Sequence, residues 1–140
     1  MSASSSTPPP KPLAGIKVIE FAGLAPVPFA GLILADFGAS VVRVDRISHN
    51  NVAQDVLSRG KRSIALDWKS EDGLEVVKQL IRGADVVLDP FRPGVLEKMG
   101  LGPDVWLGKE NTQGQNKRLV FARIAGYVYF CLPRKDTGRC

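Results

Sequence analysis

The chain has 140 residues, 44% of them hydrophobic and 24% charged. That length fits one domain and that composition is globular, which excludes a wholly disordered chain, a collagen and a coiled coil. The net charge of +5 shrinks to 15 basic against 13 acidic residues between Leu13 and Tyr127, too balanced for a polyanion surface, so nucleic acid is not an expected partner.

In chain order, residues 1–12 read as a disordered leader, because three consecutive prolines and a serine cluster bury nothing. Ile16 to Phe21 reads as a short β-branched strand. Pro26 and Pro28 forbid a strand and suit a loop into a helix, with Pro28 near the first helical position and the helix spanning Phe29 to Phe37, closed by Gly38. Val41 to Val44 is a second strand with Asp45 and Arg46 at its end. Residues 47–60 are polar and irregular. Ser63 to Leu66 is a third strand ending at Asp67. Ser70 caps a helix with Glu71 and Asp72 in its first turn and Leu74, Val77, Leu80 and Ile81 on one face. Asp85 to Leu88 is a fourth strand. Pro93 to Met99 and Pro103 to Glu110 read as two short helices, each opening on proline. The interval from Asn111 to Lys117 reads as a polar loop, and Leu119 to Ile124 as a fifth strand.

Short apolar strands without alternation, separated by helices, indicate a sheet covered on both faces. The expected fold is α/β: a Rossmann-like, doubly wound parallel sheet, or an incomplete portion of one. Residues 13–127 form that unit. Residues 128–140 carry both cysteines and fit nothing before them; they read as an unrelated, unstructured tail, as expected of a truncated or mis-spliced product. Two such late cysteines are no disulfide framework for the body, so the expected compartment is intracellular and reducing. The leader has no apolar core for secretion. It is Ser-rich and acid-free like a transit peptide but lacks Arg, and the final Gly-Arg-Cys is no peroxisomal signal. Mitochondrial, peroxisomal and cytoplasmic locations stay open. The longest comparable apolar stretch, Phe29 to Ala35, is far short of the ~20 residues of a membrane span, so no membrane partner is expected.

Ligands of open α/β sheets bind outside the carboxyl ends of the strands. There the sequence places Glu20 to Gly23, Asp45–Arg46, Asp67 to Lys69, Asp89 to Arg92 and Ala125–Gly126. Arg46, Lys69 and Arg92 come from three strand ends, and Arg59, Lys61 and Arg62 from the loop entering the third strand. Such cations suit a phosphorylated ligand, since guanidinium grips phosphate in a bidentate fork. They equally suit solvated pairs with neighbouring carboxylates. Asp45 follows Gly23 at the spacing of a ribose-binding acid, but the Gly-x-Gly-x-x-Gly pattern is missing and two prolines occupy the turn, which argues against a dinucleotide. His49, the single histidine, sits in a polar loop without a catalytic partner at motif spacing. No serine-hydrolase elbow, zinc set or Walker loop is present.

Five segments carry a resemblance. They are Leu13 to Phe29, Leu34 to Arg46, Arg59 to Lys69, Pro90 to Pro103 and Arg118 to Tyr127, and they resemble, in order, the family III CoA-transferases. The Arg-Pro-Gly-Val block at 92–95 favours the racemase branch over the transferases. The resemblance implies an acyl-CoA substrate, no separate cofactor or metal, and an interlocked homodimer at full length. It implies CoA contacts from Arg46 and from Leu66, Asp67, Trp68 and Lys69, with Arg92 gripping phosphate. It also implies epimerisation of 2-methylacyl-CoA thioesters, one group removing the α-proton and another returning it to the opposite face. The matching His and Asp fall beyond Gly126 and have no counterpart here, so no catalytic residue is assigned. The expectation is a CoA-binding N-terminal portion that is inactive alone. A CoA-transferase and a non-catalytic CoA-binding or subunit-interaction module remain the alternatives.

Overall fold

A computed structural model describes residues 9–47, 56–109 and 112–124. The elements are β1 (Lys17–Phe21), α1 (Pro26–Asp36), β2 (Ser40–Arg46), β3 (Arg62–Leu66), α2 (Glu71–Arg82), β4 (Val86–Asp89), a 3₁₀ turn (Glu97–Met99), α3 (Pro103–Leu107), β5 (Gly108–Lys109), β6 (Thr112–Gln113) and β7 (Val120–Arg123). Five strands form one sheet in the order β3-β2-β1-β4-β7, and every pairing in it is parallel. The chain runs outward from β1 through β2 to β3, then returns to β4 on the other side of β1. Right-handed crossovers in opposite directions place their helices on opposite faces. Accordingly α1 covers a core of Val18, Val41 and Leu88 with its own Val27 and Ala35. On the other face, α2 sets Val77 and Ile81 against Ile19, Phe21, Val44 and Val87. The doubly wound parallel sheet expected from the sequence is therefore present.

Three element readings change. Helix α1 begins at Pro26 rather than Phe29, with Ala25 as its N-cap. Both prolines fall in the first turn, where their missing N–H groups have no intrahelical acceptor to lose. Pro93 to Met99 is no helix but a turn series ending in the 3₁₀ segment, since Gly94 sits at φ +93° and breaks the helical run. Helix α3 stops at Leu107, and Gly108 at φ +88° turns the chain into the two-residue β5–β6 hairpin. The polar interval after it has a structural task. Asn116 Nδ2 donates to the carbonyls of Ile81, Arg82 and Ala84, satisfying the exposed end of α2. His49 and residues 125–140, including both cysteines, lie outside the described residues.

Candidate functional site

The strand order reverses between β1 and β4, and a crevice opens there at the carboxyl ends, where doubly wound sheets hold ligands. Gly23 follows β1 and Pro90 follows β4. They approach so closely that a Cβ on Gly23 would stand 2.4 Å from the Pro90 Cβ. The crevice is a cavity of about 340 Å³ lined by Gly23, Leu24, Pro26, Val27, Pro90, Phe91 and Ile124. It is apolar and offers room for an uncharged part of a ligand.

The six cations read from the sequence separate into two groups. Arg59 Nη2 lies 2.6 Å from Asp36. Lys61 Nζ, 2.6 Å from Glu20 Oε2, also donates to the Pro28 carbonyl. Arg62 donates to Ser40 Oγ at the amino ends of the strands. Arg59 and Arg62 lie toward the amino ends of the strands, away from the edge where a ligand is expected, and Lys61 buries its ammonium between Glu20 and the first turn of α1. Arg46, Lys69 and Arg92, by contrast, stand at or just beyond the carboxyl ends of β2, β3 and β4 and are exposed. No ion pair joins any of them to a carboxylate among the described residues.

Local structure explains how these three are presented. Arg46 ends β2 opposite Leu66, the half-buried end of β3. Asp67 turns the chain by accepting the Lys69 N–H on its carboxylate, while Ser70 Oγ donates to the Asp67 carbonyl and accepts from Gly73 N–H. Lys69 therefore leaves from a fixed turn. The Trp68 ring points inward, only 7% exposed, and packs at 5.2 Å from Phe21 and edge-on at 6.0 Å from Phe91. The 66–69 segment thus meets solvent through Asp67 and Lys69, while Trp68 ties it to the loop after β4. That loop holds Arg92. Its neighbour Phe91 donates its N–H to Asp89 Oδ1 at 2.8 Å.

Two buried carboxylates were not singled out as functional from the sequence. Glu20, on the α1 face, is fully buried; burial pushes its carboxyl up, against the opposing pull of Lys61 and Arg43. Its Oε1 has no hydrogen-bond partner among the described residues. Asp89, also fully buried, is bound at 2.6 Å by Arg123 Nε. Asp45 lies 2.8 Å from Arg43, a pairing that uses the carboxylate a ribose would need. No group of three or more His, Cys, Asp or Glu able to hold a metal occurs among the described residues. No helix among them is long and apolar enough to cross a membrane.

Comparison with known proteins decides the family. CoA-transferase family III matches residues 13–137. The chain belongs to that family. It is similar to the alpha-methylacyl-CoA racemase of Mus musculus, 48% identical over 115 residues, which are 82% of this chain and 28% of the relative. The Homo sapiens racemase is 49% identical over 116 residues, again 82% of this chain and 28% of the relative. The crystal structure of Rv3272 from Mycobacterium tuberculosis superposes with a TM-score of 0.73 at 35% identity, covering 85% of this chain and 34% of that one. The family resemblance in the five segments is thus borne out, and this family III chain spans about a third or less of the length of these relatives.

Proposed function

We propose that this chain is the CoA-binding N-terminal portion of an α-methylacyl-CoA racemase and that it exchanges no α-proton by itself. The single observation that carries the binding reading is the set of three exposed cations at one strand edge, Arg46, Lys69 and Arg92, which have no carboxylate partner among the described residues and stand beside an apolar crevice. CoA has this same division: a diphosphate and a 3′-phosphate at one end, an uncharged pantetheine and acyl thioester at the other. β1 separates β2 from β4, which sets their ends roughly 10 Å apart. That spread suits phosphates at two places better than one compact anion. Arg46 and the Leu66, Asp67, Trp68 and Lys69 segment take one part of the nucleotide, with Trp68 acting through packing, and Arg92 takes another. CoA is the substrate's carrier and not a resident cofactor. The racemase choice is supported by the 48% and 49% identities to the two racemases.

The reading that a partner subunit pairs with this portion is supported by α1. Its outer face leaves Phe29, Ile33 and Phe37 between 42% and 54% exposed, and a helix apolar all round belongs in an interior. Inactivity of the chain alone is supported by its buried carboxylates, each held in an ion pair. A non-catalytic CoA-binding module draws support from those same pairs.

Calorimetric titration with CoA tests the binding reading. Saturable heat should weaken about tenfold or more in Arg46→Ala and in Arg92→Ala, since a charge-assisted contact is worth about 1.5–3 kcal/mol. No heat from a cooperatively folded chain would overturn the proposal. Incubation of a 2-methylacyl-CoA in heavy water addresses catalysis: deuterium uptake above a protein-free control contradicts the expected inactivity.

A further inference from the structure

We propose that Arg123 is a positioning residue whose guanidinium clamps both ends of the loop that presents Arg92, without itself meeting the ligand. The proposal rests on the CoA-binding reading for its ligand consequence, and on geometry for the clamp.

Arg123 ends β7, directly opposite Asp89 of β4 in register. Its Nε donates to Asp89 Oδ2 at 2.6 Å and its Nη2 to Glu97 Oε1 at 2.8 Å. Each carboxylate spends its other oxygen on a loop amide. Asp89 Oδ1 accepts the Phe91 N–H at 2.8 Å, and Glu97 Oε2 accepts the Gly94 N–H at 2.7 Å. These two amides flank Arg92 on either side. The guanidinium therefore joins the start of the loop to its far end, and the two carboxylates pass that restraint to the backbone around Arg92. The guanidinium carbon also rests 5.7 Å from the centre of the Phe121 ring, which fixes its plane.

Charge separates the two arginines. One guanidinium facing two carboxylates is fully neutralised, so Arg123 has little left to attract a phosphate. Arg92 is exposed with no carboxylate partner among the described residues. The planar guanidinium holds the two carboxylates from separate nitrogens in a fixed geometry; a lysine ammonium is a point charge on a flexible stem and does not reproduce it. Arg123→Lys keeps the charge and removes the clamp.

Amide hydrogen exchange and CoA titration on the 140-residue chain test this together. Arg123→Lys should lose at least tenfold protection at the Phe91 and Gly94 amides, with the α2 amides unchanged, and bind CoA at least tenfold more weakly. Arg92→Ala, damaging in the wild type, should then add little in the Arg123→Lys background; a merely structural role leaves the two effects additive. If Arg123→Lys fails to fold, Glu97→Gln carries the comparison, since it leaves buried Asp89 paired and should open Gly94 alone. Unchanged protection of both amides in Arg123→Lys overturns the proposal. So does wild-type CoA affinity in a variant whose loop amides have opened. A wild-type chain that takes up no CoA removes the ligand reading, and the exchange pattern alone then decides the clamp.

Discussion

Glu20 and Lys61 show how one pair of residues can bind three elements. The pair joins β1 to the residue before β3, and the Lys61 ammonium also holds the Pro28 carbonyl in the first turn of α1. Gly31 makes the geometry possible: a Cβ there would stand 1.8 Å from Glu20 Oε2. Lys61→Ala leaves a buried carboxylate without its cation and should cost about 3–5 kcal/mol, read from urea unfolding at neutral pH. The pH dependence follows from burial, which pushes the Glu20 carboxyl above its ordinary 4.5. A raised carboxyl binds its proton more readily folded than unfolded. Its contribution is therefore fully present below 4.5 and lost as pH rises through the folded value. The Lys61→Ala penalty should accordingly shrink at acidic pH; a penalty that grows there contradicts the assignment. Glu97 runs the other way. Burial opposes its charge, but hydrogen bonds from Arg123 and from the backbone outweigh that and hold it below 4.5. Its contribution is present above 4.5 and lost as pH falls, so Glu97→Gln should flatten the acid side of the stability curve.

At the scale of elements, α2 was readable almost residue by residue, and α1 was not. The Ser70 cap, the acidic first turn and one apolar face all agree on α2 (Glu71–Arg82). Ser70→Ala should cost about 1 kcal/mol in a thermal melt, the usual worth of an N-cap. In α1 the two prolines hid the start, because a proline in the first turn and a proline in a loop look alike in a sequence. Its outer face is the more telling feature. Converting Phe29, Ile33 and Phe37 together to serine should reduce concentration-dependent self-association in sedimentation velocity, with only a small change in Tm, since these side chains are partly exposed and contribute little to the core. Unchanged association in that variant would show that the face is not sticky. The Pro93 to Met99 segment reads as a helix in the sequence and folds as a turn for a different reason. Its proline and glycine set a turn whose shape depends on Glu97 and Arg123, and only the folded chain brings those together.

For the whole molecule, the parallel α/β sheet was legible because each strand is a short apolar run bounded by charge or glycine. The edge where a ligand is expected follows from strand direction alone. What the sequence could not divide was its cations. Arg59 and Arg46 look equivalent in a string of letters; their difference lies in Asp36, 23 residues from Arg59. Lys61 meets Glu20 across 41 positions and Arg123 meets Asp89 across 34. Such pairings are fixed by the crossovers of the sheet and not by neighbours in the chain. The fold separates Arg59, Lys61 and Arg62 from Arg46, Lys69 and Arg92, which stand at one edge. CoA is proposed to lie on that edge. An amide chemical-shift map of the isotope-labelled chain titrated with CoA tests it most directly. Shifts should concentrate at residues 21–24, 45–47, 66–69 and 89–93. Shifts centred instead on the amino ends of the strands, around Gly15, Lys17, Ser40 and Arg62, or no shifts at saturating CoA, would contradict it.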